Sequence, residues 1–389
     1  MLRTRHPVFI VGAITLLGWL VFLYHAIPEH AFSALQSVDT STAVTDDTAV
    51  TDETVHLLIP ATEPNNQFCR VLFSALINDY PSPYLVNYGK KYDDPAIARA
   101  QKIAGLNEYL LKSTVSRNDT IIIADGFDVW FQLPLDVMVS RYRLAQQNDT
   151  SRTIFGADKK CWPNDPNSPA CTRAPLSSLP DGVYGPDTDQ LTIYRDQKAK
   201  YDNFRPRWLN SGTAIGPASS LHAIYEEAWR RIEDKQSTVK SDQRILADVW
   251  ETTLGFAQAD VAWIVNPDPE TRATTASNDD TGQMRLELAS LGMDMEERRE
   301  RSVWKGRPLA WNRISNAIPS VLHFNGDKNY MDRWWHKMWW NAKGGEIART
   351  FLERLESGDT ELLAEMRAGA WTEEGWVDWN ELCRNFSIL

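Results

Sequence analysis

The sequence predicts an α/β fold in which a mixed sheet of buried strands is flanked by helices. Short apolar runs of strand length recur along the chain, and several stretches between them have helical periodicity. The globular part opens with a strand, a helix and a second strand, which is how a parallel sheet begins. Parallel sheets bind ligands beyond the carboxyl ends of their strands, so we expect a functional site in the loops at that edge.

The first predicted strand covers residues 55–60 and is followed by the loop Ala61-Thr62-Glu63. A helix is predicted at 66–79, because its apolar side chains fall on one face. A second strand at 84–88, a helix at 95–112 and an apolar strand ending at Ala124 complete this half of the sheet.

The second half begins with predicted strands at 153–158 and 208–216, separated by loops rich in Pro, Asp and Ser. A helix at 219–234 has an apolar face that includes Tyr225. Ser241-Asp242 is a capping signal for a helix at 241–251. Later strands are predicted at 260–265 and 320–325, a charged insertion at 266–302, and short helices from 344 onward.

An aspartate pair, Asp125 and Asp128, directly follows the strand at 120–124. Two carboxylates at the end of a buried strand can bind one hard cation such as Mn²⁺ or Mg²⁺, which in turn can bridge a diphosphate. Such pairs also cap solvated turns. The strand before the pair favours a metal-dependent site of the kind that nucleotide-sugar glycosyltransferases use.

The N-terminus predicts a membrane anchor. Residues 7–24 carry no charge, Arg3 and Arg5 precede them, and Glu29 follows. An uncharged run of this length is just sufficient to span a bilayer, and the positive charges indicate a cytosolic N-terminus. We therefore expect a cytosolic tail at 1–6 and an anchor at 7–27 in a type II protein of the Golgi or endoplasmic reticulum. A cleaved signal peptide is the alternative.

A polar stem is predicted at 28–53, because its apolar content is too low for a core. The globular part then divides into a catalytic domain at 54–342 and a C-terminal helical extension at 343–389. The net charge of −11 argues against a broad nucleic-acid surface. The sequence contains neither G-x-G-x-x-G nor a P-loop, which excludes dinucleotide and ATP sites of those kinds.

Four cysteines occur, and a lumenal location favours their oxidation. Cys161 and Cys171 bracket a short loop, where a local disulfide is expected. Cys69 and Cys383 would then be the remaining pair, although the sequence alone leaves the connectivity open. Three N-glycosylation sequons begin at Asn118, Asn148 and Asn385, and each is a candidate glycosylation site on the surface.

Four tryptophans lie close together in the segment YMDRWWHKMWW at 330–340. At helical spacing Trp335 and Trp339 share a face, so core packing is the first interpretation. Contacts with a sugar acceptor and contacts with a membrane interface are the second and third.

Several short blocks, taken in their order, resemble the glycosyltransferase domain of the procollagen lysyl hydroxylase/glycosyltransferase family. The blocks at 61–63, 101–102 and 124–129 include the Asp-x-x-Asp-Val motif. Those at 161–163, 208–216, 241–243 and 323–328 include Cys-Trp-Pro, Leu-Asn-Ser-Gly and His-x-Asn-Gly. The sequence departs from the family in having Phe127 where Tyr is usual and in a His-to-Lys interval that is one residue shorter. No His-x-Asp motif occurs, so the iron-dependent hydroxylase half is not expected.

The resemblance implies a GT-A-like (Rossmann-like) fold, Mn²⁺ or Mg²⁺ as cofactor and a UDP-sugar as donor. It implies three metal ligands, Asp125, Asp128 and His323. It also implies a diphosphate and donor pocket, formed by Thr62, Lys102, Gly126, Phe127, Gly326 and Lys328. It also implies that three further residues, Asp242, Asn210 and Trp162, face the sugar or the acceptor.

Three of these roles have a plainer alternative: His323 as a core histidine, Lys328 as a surface lysine, and Asp242 as a helix cap. The expected function is transfer of a hexose, glucose or galactose, from the UDP-sugar to a hydroxyl of a protein or glycan. Asp242 is the only candidate for a general base. Whether the reaction retains or inverts the configuration of the sugar stays open. The alternatives are a metal-dependent hydrolase and a non-catalytic carbohydrate-binding or scaffolding protein that retains the fold.

Overall fold

The computed structural model describes most of the chain after residue 53. The described residues are 54–146, 148–176, parts of 181–198, 204–234, 241–252, 257–259, 264–265, 309–310, 319–325, 328–357 and 368–388. Within them no helix is long and apolar enough to cross a bilayer. The predicted anchor at 7–27, stem at 28–53 and charged insertion at 266–302 lie outside this part, so they stay predictions.

Eight strands of the described residues form the main sheet, in the order β11-β10-β2-β1-β3-β6-β5-β7. Their bounds are β1 Val55–Pro60, β2 Tyr84–Val86, β3 Thr120–Ala124, β5 Thr153–Asp158, β6 Trp208–Pro217, β7 Ala257–Ala259, β10 Gly369–Thr372 and β11 Gly375–Asp378. Strands β2, β1 and β3 are parallel, and β6 lies antiparallel between β3 and β5. The predicted mixed sheet flanked by helices is confirmed.

A smaller sheet with the order β4-β9-β8 lies at the carboxyl end of β3. It consists of β4 Val129–Phe131, β8 Ile264–Val265 and β9 Val321–His323. The sequence did not predict the short strand β4, because its three residues directly after the aspartate pair are too few to show the periodicity of a strand. It places Asp128 beside the end of β9.

Alternating side chains along the central strands build a core on each face of the main sheet. Leu57, Ile59 and Ile122 pack into one core, whereas Leu58 and Ile123 pack into the other. The first core contains α1 Asn66–Leu76 and the C-terminal helices; the second contains α2 Pro95–Leu110, α5 Ala218–Asp234 and α6 Asp242–Thr252. The remaining helices are α3 Leu135–Gln146, α4 Pro169–Thr172, α7 Asn329–Trp335, α8 Ala342–Ser357 and α9 Trp379–Cys383.

The first helices begin where their capping residues predict. The Asn65 side chain accepts a hydrogen bond from the Phe68 backbone N–H at 2.9 Å, and Asp94 accepts one from Ala96 at 2.7 Å. Pro95 occupies the first turn of α2, where a missing N–H costs nothing. These caps fix the direction in which each helix leaves the site edge of the sheet.

The tryptophan-rich segment at 330–340 fills the first core. Trp334, Trp335, Trp339 and Trp340 are all buried, and Trp335 contacts Trp130 and Phe73 edge-on. The core-packing interpretation is therefore confirmed.

The C-terminal extension predicted at 343–389 contains the helices α8 and α9 and also a hairpin that the sequence did not predict. After α8 the chain forms the hairpin β10–β11, and β10 pairs with β2 in parallel. Gly369 and Gly375 have φ values of 159° and 127°, which residues other than glycine rarely adopt. The hairpin strands have four residues each, too few for periodicity to distinguish them from a loop.

Both disulfides form as expected. Cys161 pairs with Cys171, and Cys69 on α1 pairs with Cys383 on α9. All four cysteines are buried and none is free. One bridge stabilises the loop beside the site, and the other joins the start of the domain to its C-terminus.

Candidate metal and donor site

Asp125, Asp128 and His323 converge at the carboxyl ends of β3 and β9. One ligand atom from each lies within 4.8 Å of the others. Asp125 is held by its backbone N–H, which donates to the Gly212 carbonyl at 2.8 Å. Asp128 is held by the pairing of Val129 with His323, and its carbonyl accepts from Phe324 N–H at 2.8 Å. The folded chain thus brings together residues almost 200 positions apart.

The donor set suits a hard divalent cation. Two carboxylates and one imidazole are ligands that Mn²⁺ accepts, and a cation would neutralise carboxylates that lie close together. His323 is buried, with Nε2 3.5 Å from Asp128 Oδ2, and among the described residues its Nδ1 atom has no hydrogen-bond partner. An imidazole nitrogen buried without a partner is unusual in a merely structural histidine.

Gly212, which the sequence reasoning did not single out, makes room for the imidazole. A Cβ atom at this position would lie 2.2 Å from Cε1 of His323. Gly126 has a similar role, since its Cβ would lie 2.6 Å from the Pro60 carbonyl oxygen at the end of β1. Both glycines therefore let the strand ends that form the site approach one another closely.

Lys102 on α2 connects the aspartate pair to Asp242. Its Nζ donates to Asp125 Oδ1 at 2.5 Å and to Asp242 Oδ2 at 2.7 Å. Asp242 also accepts from the Ser211 hydroxyl at 3.1 Å. The plainer role of Asp242 as a helix cap does not account for these contacts. The cap is supplied by Ser241, whose hydroxyl accepts from Arg244 N–H at 3.4 Å.

Lys328 contacts the other aspartate. Its ammonium donates to the Asp128 carboxylate and to the Phe324 carbonyl. The side chain is half exposed, so it remains accessible from solvent. Each member of the aspartate pair thus has its own lysine.

Burial and charge shift the pKa values of these groups. Burial alone would lower the pKa of Lys102, but the carboxylates of Asp125 and Asp242 outweigh it and raise that pKa. Burial raises the pKa of Asp125, and the nearby carboxylates of Asp128 and Asp242 add to the increase against the opposing effect of Lys102. For Asp128 the nearby His323 and Lys328 outweigh the effect of burial, so its pKa is lowered. For Asp242 the contacts with Lys102 and Ser211 do the same.

The other predicted residues lie around this centre in different environments. Thr62 is half-buried after β1, and its carbonyl accepts from Gly89 N–H at 2.8 Å. Phe127 is half-buried and packs against the first core. Gly326 lies outside the described residues. These donor-pocket roles stay predictions.

Asn210 and Trp162 differ sharply in exposure. Asn210 is buried, and its side-chain oxygen accepts from the Gly212 backbone N–H at 2.9 Å, which shapes the strand opposite Asp125. Trp162 is 65% exposed, and its carbonyl accepts a hydrogen bond from the side chain of Gln243, the neighbour of Asp242. An exposed indole on a loop that bonds to the residue after Asp242 suits contact with a ligand.

The sequence did not single out Ser211, Gly212 and Gln243 as site residues, although Ser211 bonds to Asp242 and Gln243 to the Trp162 carbonyl. The block 208–216 and the run 241–243 contain all three and were the available signal.

Comparison with known proteins finds a family match that includes the aspartate pair. Residues 51–169 match the model of a family described as the PLOD GT domain. A multifunctional procollagen lysine hydroxylase and glycosyltransferase of Caenorhabditis elegans is 23% identical over 312 residues. That alignment covers 78% of this chain and 35% of the relative, so the chain spans about a third of the relative's length.

Two solved glycosyltransferase structures are also similar. The galactosyltransferase LgtC, in complex with donor and acceptor sugar analogues, aligns with a TM-score of 0.34 and 12% identity, over 80% of this chain and 96% of its own. The bifunctional glycosyltransferase WbbM, in its apo form, aligns with a TM-score of 0.36 and 10% identity, over 77% of this chain and 52% of its own. The family match, which contains Asp125 and Asp128, confirms the resemblance to the glycosyltransferase domain of procollagen lysyl hydroxylase/glycosyltransferases.

Proposed function

We propose that this chain is a metal-dependent glycosyltransferase that transfers a hexose from a UDP-sugar to a hydroxyl of a protein or glycan. One observation carries the proposal: Asp125, Asp128 and His323 converge at the edge where β1 and β3 end. Ligands of α/β proteins bind at that edge, and the family match includes the aspartate pair.

Different residues of the site would contact the diphosphate and the nucleoside of the donor. Asp125, Asp128 and His323 would hold Mn²⁺ or Mg²⁺. A cation held by these three side chains would supply positive charge for the leaving diphosphate. Lys328, half exposed beside Asp128, would add a positive charge at the diphosphate. Phe127, together with Thr62, would contact the nucleoside.

The sugar and acceptor would lie on the other side of Lys102. Asp242 is the candidate base, because it is a buried carboxylate held at the site by Lys102 and Ser211. Trp162, whose carbonyl bonds to Gln243, offers an exposed aromatic face. A base at this position would favour an inverting reaction.

The proposed compartment is the lumen of the Golgi or endoplasmic reticulum, with the N-terminal apolar segment as anchor. The two disulfides support an oxidising compartment, and the asparagines of all three sequons are exposed. The acceptor stays open, since a shared fold does not determine the substrate.

Replacement of Asp125 or Asp128 by asparagine tests the proposal. Each variant should reduce Mn²⁺-dependent transfer by about 100-fold or more, the scale on which removal of one preorganised electrostatic contact acts. Asp136→Asn is the matched control, because Asp136 is an exposed carboxylate on α3 whose side chain bonds to the adjacent backbone N–H. Full activity in either Asp125→Asn or Asp128→Asn would rule out the metal assignment.

A panel of UDP-sugars, measured with Mn²⁺ by thermal shift and by product release, separates the alternatives. The correct donor should raise the melting temperature, since it binds only the folded chain. Transfer that requires an acceptor supports the proposal. Rapid release of free sugar without acceptor would indicate a hydrolase, and donor binding without turnover would indicate a non-catalytic protein.

A further inference from the structure

Asp158, at the carboxyl end of β5, is a carboxylate that the proposed mechanism does not use. Strand β5 runs parallel to β3, since both are antiparallel to β6, so Asp158 lies at the same edge of the main sheet as Asp125. Its carbonyl accepts a hydrogen bond from Arg207 N–H at 2.9 Å, and its Oδ1 atom accepts one from Lys160 N–H at 3.1 Å. The backbone and one carboxylate oxygen are therefore fixed by the main sheet and by the loop that follows β5.

The other carboxylate oxygen bonds to the segment that follows β9 of the smaller sheet. Asp158 Oδ2 accepts a hydrogen bond from the side-chain amide of Asn325 at 2.9 Å, between residues 167 positions apart. Asn325 is the second residue after β9, and His323 is the last residue of that strand. A hydrogen bond with an ionised acceptor is about twice as strong as a neutral one. Asp158 thus joins the main sheet to the segment next to the third candidate metal ligand.

The three candidate ligands themselves belong to two different sheets. Asp125 follows β3 of the main sheet, whereas Asp128 precedes β4 and His323 ends β9 of the smaller sheet. A metal site needs its ligand atoms to converge, because metal–ligand distances vary by only about 0.2 Å. The two sheets must therefore be held in a fixed relative position, and the bond between Asp158 and Asn325 acts at this junction.

We propose that Asp158 is a positioning residue of the metal site. Through Asn325 it fixes the end of β9 against the main sheet, and so it holds His323 where the imidazole completes the site with Asp125 and Asp128. Asp158 acts through its partner and is not itself a metal ligand. The inference rests on the proposed metal site.

Calorimetric titration of the full chain with Mn²⁺ alone tests this role without any activity readout. Asp158→Ala should weaken Mn²⁺ binding by about 10-fold, the lower end of the effect of removing a residue that orients a ligand. Asp158→Asn removes the charge but keeps an acceptor oxygen for Asn325. Its Mn²⁺ affinity should therefore stay within about 3-fold of the wild-type value, since only the extra strength of the charged bond is lost.

Asp248→Ala is the matched control. Asp248 is a half-buried carboxylate on α6 that accepts a hydrogen bond from the side-chain amide of Asn164 at 2.9 Å, the same kind of bond at the same distance. Neither residue lies on an element that carries a candidate metal ligand. Loss of this bond should therefore leave the Mn²⁺ affinity unchanged.

The Asn325→Ala variant shows whether Asp158 acts through Asn325. It breaks the same bond from the other side without removing a charge, so it should also weaken Mn²⁺ binding by about 10-fold. The double variant Asp158→Ala and Asn325→Ala should bind Mn²⁺ no more weakly than either single variant, since the two changes remove one interaction.

Unchanged Mn²⁺ affinity in Asp158→Ala, whether or not its melting temperature falls, would overturn the positioning role. Losses that add in the double variant would contradict it as well. An Asp158→Asn variant that binds Mn²⁺ as weakly as Asp158→Ala would assign the effect to the charge and not to the hydrogen bond. Absence of Mn²⁺ binding to the wild type would instead defeat the proposed function itself, and this inference with it.

Discussion

At the scale of single residues, the smallest side chain in the site is among the most constrained. Gly212 lies under the imidazole of His323, and its carbonyl holds the Asp125 backbone. A methyl group at this position cannot coexist with the present imidazole orientation, because a Cβ would lie 2.2 Å from the ring. The position of the metal-ligand candidate His323 thus depends on the absence of a side chain on β6.

We predict that Gly212→Ala displaces His323 and weakens Mn²⁺ binding by more than about 10-fold, the effect of a mispositioned ligand shell. Overpacking of this kind also costs about 1–3 kcal/mol of folding free energy. Urea unfolding and Mn²⁺ titration measure the two effects.

A double variant is the control for this prediction. The His323→Ala change removes the imidazole with which the new methyl group clashes. Gly212→Ala should therefore lower the free energy of unfolding less in the His323→Ala background than in the wild type. Equal costs in both backgrounds would mean that the alanine is harmful for a reason other than the imidazole.

The sequence could predict the residues with distinctive chemistry but not those that act by shape. Asp125 and Asp128 stand out because two carboxylates follow an apolar strand. His323 could be joined to them only through the family resemblance, since nothing local indicates that β9 pairs with β4. Gly212 carries no such signal, because its role depends on which side chain lies opposite its strand.

At the scale of elements, a polar cluster fixes the amino-terminal ends of β1 and β3, opposite the site. Asp119 accepts from His56 Nε2 at 2.9 Å, from Thr54 N–H at 3.2 Å and from Ser116 N–H at 2.8 Å. The other ring nitrogen of His56 lies 3.0 Å from the Tyr109 hydroxyl on α2. One buried carboxylate therefore ties two strands together and, through His56, connects them to the helix that carries Lys102.

We predict that Asp119→Asn destabilises the fold by about 1–3 kcal/mol at pH 7, the cost of breaking hydrogen bonds to a buried charge. Burial alone would raise the pKa of Asp119, but the hydrogen bonds from His56 and the backbone lower it overall. A carboxyl whose pKa is lowered on folding contributes stability above its unfolded pKa of about 4, and that contribution is lost as the pH falls. The difference in unfolding free energy between wild type and variant should therefore narrow below about pH 4.

Denaturant unfolding at pH 7, 5 and 3 measures this difference, with Asp93→Asn as the exposed control on the loop before α2. The control should change stability little at any of these pH values. A difference between wild type and Asp119→Asn that is the same at pH 3 as at pH 7 would exclude the charge of Asp119 as the cause.

Elements with long or periodic patterns could be predicted, whereas short ones could not. The strands at 55–60 and 153–158 have the predicted bounds, and the helix of Tyr225 begins one residue early. Strand β4 and the C-terminal hairpin were missed because three or four residues contain too little periodicity. Their pairing is set by distant partners, β9 and β2, that no local pattern specifies.

At the scale of the whole molecule, the C-terminus is built into the domain rather than attached to it. The hairpin β10–β11 extends the main sheet, Lys90 next to β2 pairs with Glu373 at the hairpin turn, and Trp335 donates to the Ile388 carbonyl. Cys383 then joins the last helix to α1, the first helix after β1. The two ends of the described domain therefore share one core.

We predict that the two disulfides contribute unequally to stability. In the chain-entropy account a bridge constrains the unfolded chain more when it closes a longer loop. Cys69–Cys383 spans 314 residues, whereas Cys161–Cys171 spans 10. Replacing both members of the long-range pair by alanine should therefore lower the free energy of unfolding by about 2–3 kcal/mol more than the same change in the short-range pair.

The short-range variant is the matched control, because all four cysteines are equally buried and each double variant removes the same two sulfur atoms. Urea unfolding of both, with free thiols counted beforehand, gives the comparison. Their effects on the site should also differ in kind. Loss of Cys161–Cys171 releases the loop of Trp162 and should weaken acceptor use together with the smaller loss of stability, whereas loss of Cys69–Cys383 should loosen the shared core. Equal losses of stability would mean that local packing around the sulfurs, rather than closure of the chain, determines what each bridge contributes.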